Sequence, residues 1–495
     1  MKPIASIDDF GRIEAESDDL LVHSFQHHPA IDRVTHHRRI LILGRKGSGK
    51  TALYRNFEQP SPHNFFSGYS FVDYPWDHHD RQVTPDAVDQ ERYLHSWKYL
   101  ILVTIAKLLV SKDQSLPGDN TKRESIGHLR DFLKDAYGSI EPSLSDIFRP
   151  TRRVSMLDRL SIDVKLLKID SNAGTIQNLP HFVQDLNRKL LDLVLQSTNP
   201  DHNYYIAFDE LDRGFDPGDS RYTQRLVGLL LAARDITRAS TTAGSNIRPL
   251  VFLRSDIYHQ HLDFEDKNKL TDTYSVEIEW EIDNSPTLKK LMELRFQNRL
   301  EDESVEWEDL FDESKEMTGR QSKYSHIIAR TLHRPRDVIG FCNHILDQFK
   351  HRISADPSDD QHQFTNEDIN NARKKYSRHF RRELEDENFK AFPDFKVWLR
   401  ALGDVEAQEF SRVEFEKSIG ARKDKLKASG DIQYILEKLF ELSVIGFRRI
   451  GGRGGGSKYV FKYIEPENDL SIHSNEFKLH PGILDDLGVK RWSRS

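Results

Sequence analysis

Residues 44–51 read GRKGSGKT, directly after the apolar run Ile40, Leu41, Ile42 and Leu43 and directly before a helical pattern that includes Ala52, Leu53 and Phe57. No other stretch of the chain constrains its fold as much. Four consecutive aliphatic residues read as a strand buried on both faces of a parallel sheet. The spacing G-x-x-x-x-G-K-[ST] between such a strand and a helix is that of a loop wrapped around a phosphate. Gly44, Gly47 and Gly49 let backbone amides turn inward with no Cβ in the way, and Arg45, Lys46 and Ser48 complete the cradle. The helix N-terminus adds partial positive charge. Lys50 reaches the outer phosphates and Thr51 offers its hydroxyl to Mg²⁺. The plainer alternative is a glycine-rich turn.

A second segment, NYYIAFDELDRGFD at 203–216, is an apolar run that ends in Asp209 and Glu210. This is the form of a Walker B strand. The first carboxylate holds the magnesium shell and the second orients or deprotonates water. Two carboxylates point to a hydrolase with ATP and Mg²⁺ in its site, rather than to a small-molecule kinase.

With 495 residues the chain is long enough for two to four domains. Its net charge of -7 argues against a globally basic nucleic-acid binder and leaves room for a local basic face. The single cysteine, Cys342, excludes an intrachain disulfide and fits a reducing cytoplasm. The N-terminus is polar and acidic and does not read as a signal peptide. The longest apolar run, YLILVTIAKLLV at 99–110, is too short to span a bilayer and reads as a buried helix, so no membrane association is expected.

Along the chain, residues 1–37 form a leader expected to pack on the core. An α/β core follows over 38–287. Its strands are predicted at 39–43, within 65–76, at 204–208, at 250–253 and in the alternating YSVEIEWEI at 274–282, the last half-exposed or at the sheet edge. Residues 112–175 read as an insertion with a candidate strand, RLSIDVKLLKI. A helical lid is expected over 288–352. A basic helix and a winged-helix domain are expected over 365–495, the latter from helices followed by two strands around the glycine-rich IGGRGGGSK.

The set GRKGSGKT, AFDELDRG, VFLRSDIY and RPRDVIGFCN resembles the bacterial P-loop ATPases of the AAA+/STAND superclass, near the KAP type, over roughly residues 5–350. The resemblance implies a P-loop NTPase core with a helical lid, in which Lys50 and Thr51 match Walker A and Asp209 and Glu210 match Walker B. It implies that Arg254 senses the γ-phosphate and that Arg336, in the RPRD turn, faces the nucleotide from the lid, followed by Asn343. It also implies a setting in antiphage defence, a homo-oligomer and a separate effector protein. The chain departs from the pattern in lacking the membrane helices, fused nuclease or TIR effector, and sensor repeats that such proteins often carry.

Plainer readings stand beside these. Arg254 can pair with Asp256, Arg336 can form a structural salt bridge in the lid, and Arg213 reads as a surface charge. The histidine pairs lack metal-ligand spacing. Arg448, Arg449, Arg453 and Lys458 flank the glycine-rich tip and are candidates for a nucleic-acid backbone, although winged helices also dock proteins. The leading expectation is a Mg-ATP-dependent switch. Its rivals are an initiator-type ATPase acting on DNA and an ATP-binding scaffold with little turnover.

Overall fold

The computed structural model describes residues 2–72, 74–83, 91–115, 120–148, 179–281, 287–358, 362–388, 390–427, 430–451 and 456–489. The chain divides into two compact units. The sheet unit comprises His28–Arg45 and Lys50–Ile278, and the helical unit comprises Met1–His27, Lys46–Gly49 and Glu279–Ser495.

The sheet unit is built on five strands: β1 (Leu41–Gly44), β2 (Asn64–Ser70), β3 (Asn203–Asp209), β4 (Ile247–Arg254) and β5 (Ser275–Glu277). They lie in the order β2-β3-β4-β1-β5, and every neighbouring pair is parallel. Burial on both faces explains why β1, β3 and β4 are almost wholly apolar. The register places Gly44 opposite Arg254 and Ser70 opposite Asp209. Strand ends that carry candidate residues therefore meet at one edge of the sheet.

Helix α1 (Pro29–His37) packs by β5, and α2 (Lys50–Glu58) packs on β1 to β4 through Tyr54 and Phe57, which contact Phe252 and Tyr205. The other face is covered by α3 (Leu94–Ser111), with α4 (Asn120–Tyr137), α5 (Leu179–Ser197) and α6 (Ser220–Thr242) packed around it. Helix α3 extends beyond the apolar run. Its 18 residues are long and apolar enough to cross a membrane by length and composition, and 72% of it is buried inside the fold.

The alternating segment at 274–282 forms only three residues of strand, at the sheet edge. Its alternation persists beyond the ladder, since Val276, Ile278 and Trp280 are all buried. Of the segment read as an insertion, α4 is described and packs on α3 and α5. The candidate strand RLSIDVKLLKI lies outside the described residues.

In the helical unit, α7 (Leu288–Leu300), α8 (Pro335–Ala355) and α9 (Asn366–Asn388) lead into α10 (Phe395–Asp404), α11 (Arg412–Gly420), α12 (Ile432–Glu441) and α13 (Leu484–Leu487). A four-stranded antiparallel sheet of β6 (Glu409–Ser411), β7 (Ile445–Arg449), β8 (Lys458–Val460) and β9 (Glu476–Leu479) follows the order β6-β9-β7-β8. The leader expected on the core divides. Residues 28–37 belong with the sheet unit, and residues 1–27 with the helical unit. There Phe10 packs edge-on to Phe296, and buried Asp18 pairs with buried Arg295 at 2.7 Å. Asn343 donates to the Gly11 carbonyl and accepts from the Phe10 amide, which ties the leader to α8.

Helix α9, whose central cations are flanked at both ends by as many acids, packs on α8 through stacked Tyr376 and Phe341. Several of its cations are internal: Arg373 pairs with Asp485, and Arg378 and Arg381 pair with Asp486, both acids on α13.

Candidate functional site

In the sheet unit the candidate residues sit at the C-terminal ends of the strands. Lys50 opens α2, and its ammonium donates to the carbonyls of Gly44 at 2.9 Å and Arg45 at 3.0 Å. Three hydrogens are available on that ammonium, so two bonds leave one for an incoming acceptor. Burial lowers the Lys50 pKa, against the pull of Asp212 and Asp209.

Asp209 ends β3 and is 5% exposed. Burial pushes its pKa up to about 6, although the Glu210 amide, Lys50 and the Thr51 hydroxyl all favour the carboxylate. A hydroxyl and a carboxylate in contact suit a hard cation that keeps several waters. Among the described residues no group of three or more His, Cys, Asp or Glu side chains converges to hold a metal by itself.

Glu210 adopts a left-handed φ of 60°, a strained conformation for a residue with a side chain. The turn follows the last residue of the strand, and the Ser70 hydroxyl donates to the Glu210 carboxylate from the end of β2. Arg213 approaches Glu210 only at 3.8 Å and is largely exposed. Arg254 ends β4 with its guanidinium forked onto Asp256, at 3.0 and 2.5 Å, and 3.5 Å from Asp212. The plainer pairing of Arg254 is thus present. Burial would raise the Asp256 pKa, but the Arg254 guanidinium holds it below the usual carboxylate range.

The loop tip, Lys46–Gly49, is gripped by residues of the helical unit. Arg334 donates to the Lys46 carbonyl at 2.9 Å, the Arg336 amide to the Gly47 carbonyl at 3.5 Å, and the Trp280 indole to the Ser48 carbonyl at 2.8 Å. In a trans peptide the carbonyl and the next amide point in opposite directions. Three engaged carbonyls therefore turn the amides of Gly47, Ser48 and Gly49 the other way, as an anion cradle requires. Gly47 and Gly49 have φ of +79° and +103°, and a Cβ on Gly47 would lie 2.9 Å from Cβ of Arg336. Arg336 pairs with Glu383 at 3.2 Å, while its buried Nε has no hydrogen-bond partner. The salt-bridge reading of Arg336 is thus present.

Arg334 is held in turn by Asp337 and Glu387. Its neighbour Arg336 was legible from the RPRD turn. Asp256 was named as the plainer partner of Arg254, whereas Arg334, Trp280, Ser70 and Asp212 were not singled out. Arg334 and Asp212 lie within the quoted motifs, whereas Trp280 and Ser70 depend on contacts made across the fold.

The candidate nucleic-acid residues are already paired with acids. Arg448 pairs with Glu476 at 2.5 Å, and Glu465 takes Arg449 at 3.0 Å and Lys458 at 2.5 Å. Arg453 lies outside the described residues. Helix α12, just before this hairpin, carries Glu437 and Glu441 against Lys438, which pairs with Glu441.

Residues 286–385 match the family model of a FunZ-associated C-terminal helical domain. The match spans α7 to most of α9, and so joins the expected lid to the basic helix that the sequence grouped with the C-terminal domain. No curated protein matches the chain.

Proposed function

We propose that the chain is a Mg-ATP-dependent P-loop ATPase that works as a nucleotide-controlled switch. The observation that carries this reading is the convergence of Lys50, Thr51 and Asp209, with Glu210 beside them, where the glycine-rich loop leaves a buried parallel strand. The strand order supports it, because β4 separates the loop-bearing strand from the acid-bearing one and brings Arg254 alongside Gly44.

On this reading the inward-turned amides of the glycine-rich loop and the third hydrogen of Lys50 bind the phosphates. Thr51 and Asp209 hold Mg²⁺, which neutralises phosphate charge when bound. Glu210 orients the attacking water and takes its proton. Arg254 responds to the γ-phosphate by exchanging its bonds to Asp256 and Asp212 for phosphate oxygens. Arg336 and Arg334 transmit the state of the loop tip to α8. The C-terminal helices and antiparallel sheet act as a winged helix that docks a protein partner, because its cations are paired and α12 is acidic. The family resemblance supports a place in antiphage defence, with a homo-oligomer acting through a separate effector.

The test is Lys50→Ala. A buried phosphate cluster without its main cation should lose tight ATP binding, and unchanged affinity in a calorimetric titration would sink the assignment. DNA-stimulated hydrolysis by the wild type would instead favour the initiator-type reading.

A further inference from the structure

At the opposite edge of the same sheet, two arginines stand without a counterion. Arg248, the second residue of β4, is 5% exposed. Its Nη1 donates to the Tyr205 hydroxyl at 3.1 Å, and its guanidinium carbon lies 5.8 Å from the Tyr205 ring centroid. Its Nε is buried and has no hydrogen-bond partner. Arg38 stands three residues before Leu41 as Arg248 stands three before Val251, and Leu41 and Val251 are partners in the β1–β4 register. Arg38 is the left-handed C-cap of α1, just ahead of β1. Burial lowers the Arg248 pKa, and the charge of Arg38 is near enough to lower it as well. A buried Nη1 of Arg38 also has no partner. Among the described residues no carboxylate pairs with either guanidinium.

Arginine does not shed its proton in a protein, and a buried charge without compensation is strongly unfavourable. Tyr205 does not supply the missing negative charge, because burial raises its phenol pKa and keeps it neutral. The other charged groups nearby on these segments add no free acid. Arg39 bonds the Asp272 carbonyl, and His36 lies 4.0 Å from Asp32.

We propose that Arg38 and Arg248 form a binding site for a phosphate-type oxyanion, separate from the glycine-rich loop. The anion accepts from Nε of Arg248 and Nη1 of Arg38. Two guanidinium groups against one ligand favour a doubly charged phosphate over a carboxylate, and their planar donor forks match its oxygens. The phosphate can be free or carried as a monoester.

The experiment uses the full chain with Lys50→Ala, so that the loop contributes little. Inorganic phosphate, ribose 5-phosphate and acetate are titrated in phosphate-free buffer, with melting temperature read in parallel. The expected result is saturable stabilisation by one or both phosphates and none by acetate. Stabilisation by inorganic phosphate assigns the free ion, and stabilisation by the sugar phosphate alone assigns a monoester. Arg248→Met should weaken phosphate binding by at least about tenfold, and the more accessible Arg38→Met should do the same. Without phosphate, Arg248→Met should be at least as stable as its parent, since no counterion is lost. Acetate acting as well as phosphate, no response to either phosphate, or a response unchanged by both substitutions would overturn the proposal. So would marked destabilisation by Arg248→Met in phosphate-free buffer, because that would reveal an internal counterion.

Discussion

Ser70 ends β2 in register with Asp209, and its hydroxyl donates to the carboxylate of the next residue, Glu210. Glu210 is therefore held sideways along the strand ends by a residue 140 positions away. On the proposed mechanism it must leave that bond to reach water beyond the γ-phosphate. Glu210→Gln should lower turnover on the order of 10²–10⁴-fold, the scale of a general base, while ATP binding survives. Ser70→Ala should raise basal turnover by roughly tenfold or less, because a hydrogen bond to a charged group no longer holds the base aside. Phosphate-release assays check both, and wild-type turnover in Glu210→Gln removes it from the chemistry.

Asp209 gives a pH dependence with a definite sign. Its folded pKa of about 6 lies above the usual 3.8, so its contribution to stability is full below pH 4 and is lost as pH rises through 6. Two units correspond to about 3 kcal/mol as an order of magnitude. Asp209→Asn should stabilise the metal-free protein at pH 7 and remove that part of the slope between pH 4 and 6. The same substitution should abolish Mg²⁺-dependent ATP binding. In the wild type that binding should weaken as pH falls through 6, where the carboxylate takes up its proton. Denaturant titrations across pH and ATP titrations with and without Mg²⁺ check the two halves.

The placement of the candidate residues at the strand ends was legible in the sequence because it is local. Loop, lysine, threonine and paired acids each follow a strand within a few residues. What was not legible depends on register or on long-range contacts. Ser70 meets Glu210 only because β2 and β3 pair in one register, and Trp280 reaches the Ser48 carbonyl across 232 positions. The segment at 274–282 alternates cleanly, yet periodicity reports burial and not ladder length, so three residues of strand satisfy the same pattern. The basic helix was legible from its run of cations, but its acid partners, Asp485 and Asp486, were not, because they lie about a hundred residues later.

Gly47 admits no side chain. Its φ of +79° disfavours any Cβ, and that atom would lie 2.9 Å from Cβ of Arg336. Gly47→Ala should destabilise the protein by about 1–3 kcal/mol and weaken ATP binding, because either the loop or Arg336 must move. Truncating Arg336 to alanine should not rescue it, since Cβ remains. Thermal melts of the single and double variants check this.

Asn343 supplies two of the bonds that fasten residues 10 and 11, beside the one from Arg295 to the Phe10 carbonyl. Asn343→Ala should loosen the leader before it unfolds the helices, with a cost of about 1–3 kcal/mol for the unmet backbone groups. Limited proteolysis should then cut within residues 1–27 faster than in the wild type, with little change elsewhere.

The hairpin cations carry acid partners, so duplex DNA must displace them. Glu465→Gln with Glu476→Gln should strengthen DNA binding and steepen its salt dependence by roughly one unit of slope for each freed cation that meets a phosphate. Fluorescence anisotropy over a salt series measures this. No binding by either protein supports protein docking.

Helix α3 has a consequence for how the chain is made. It leaves the ribosome as an apolar segment of membrane-spanning length, and β3, which it packs on, does not begin until Asn203. At about 5–20 residues per second, the gap from Ser111 to Asn203 leaves it without that shelter for roughly 5–20 s. For that interval the nascent protein presents the same face to chaperones and to the membrane-targeting machinery.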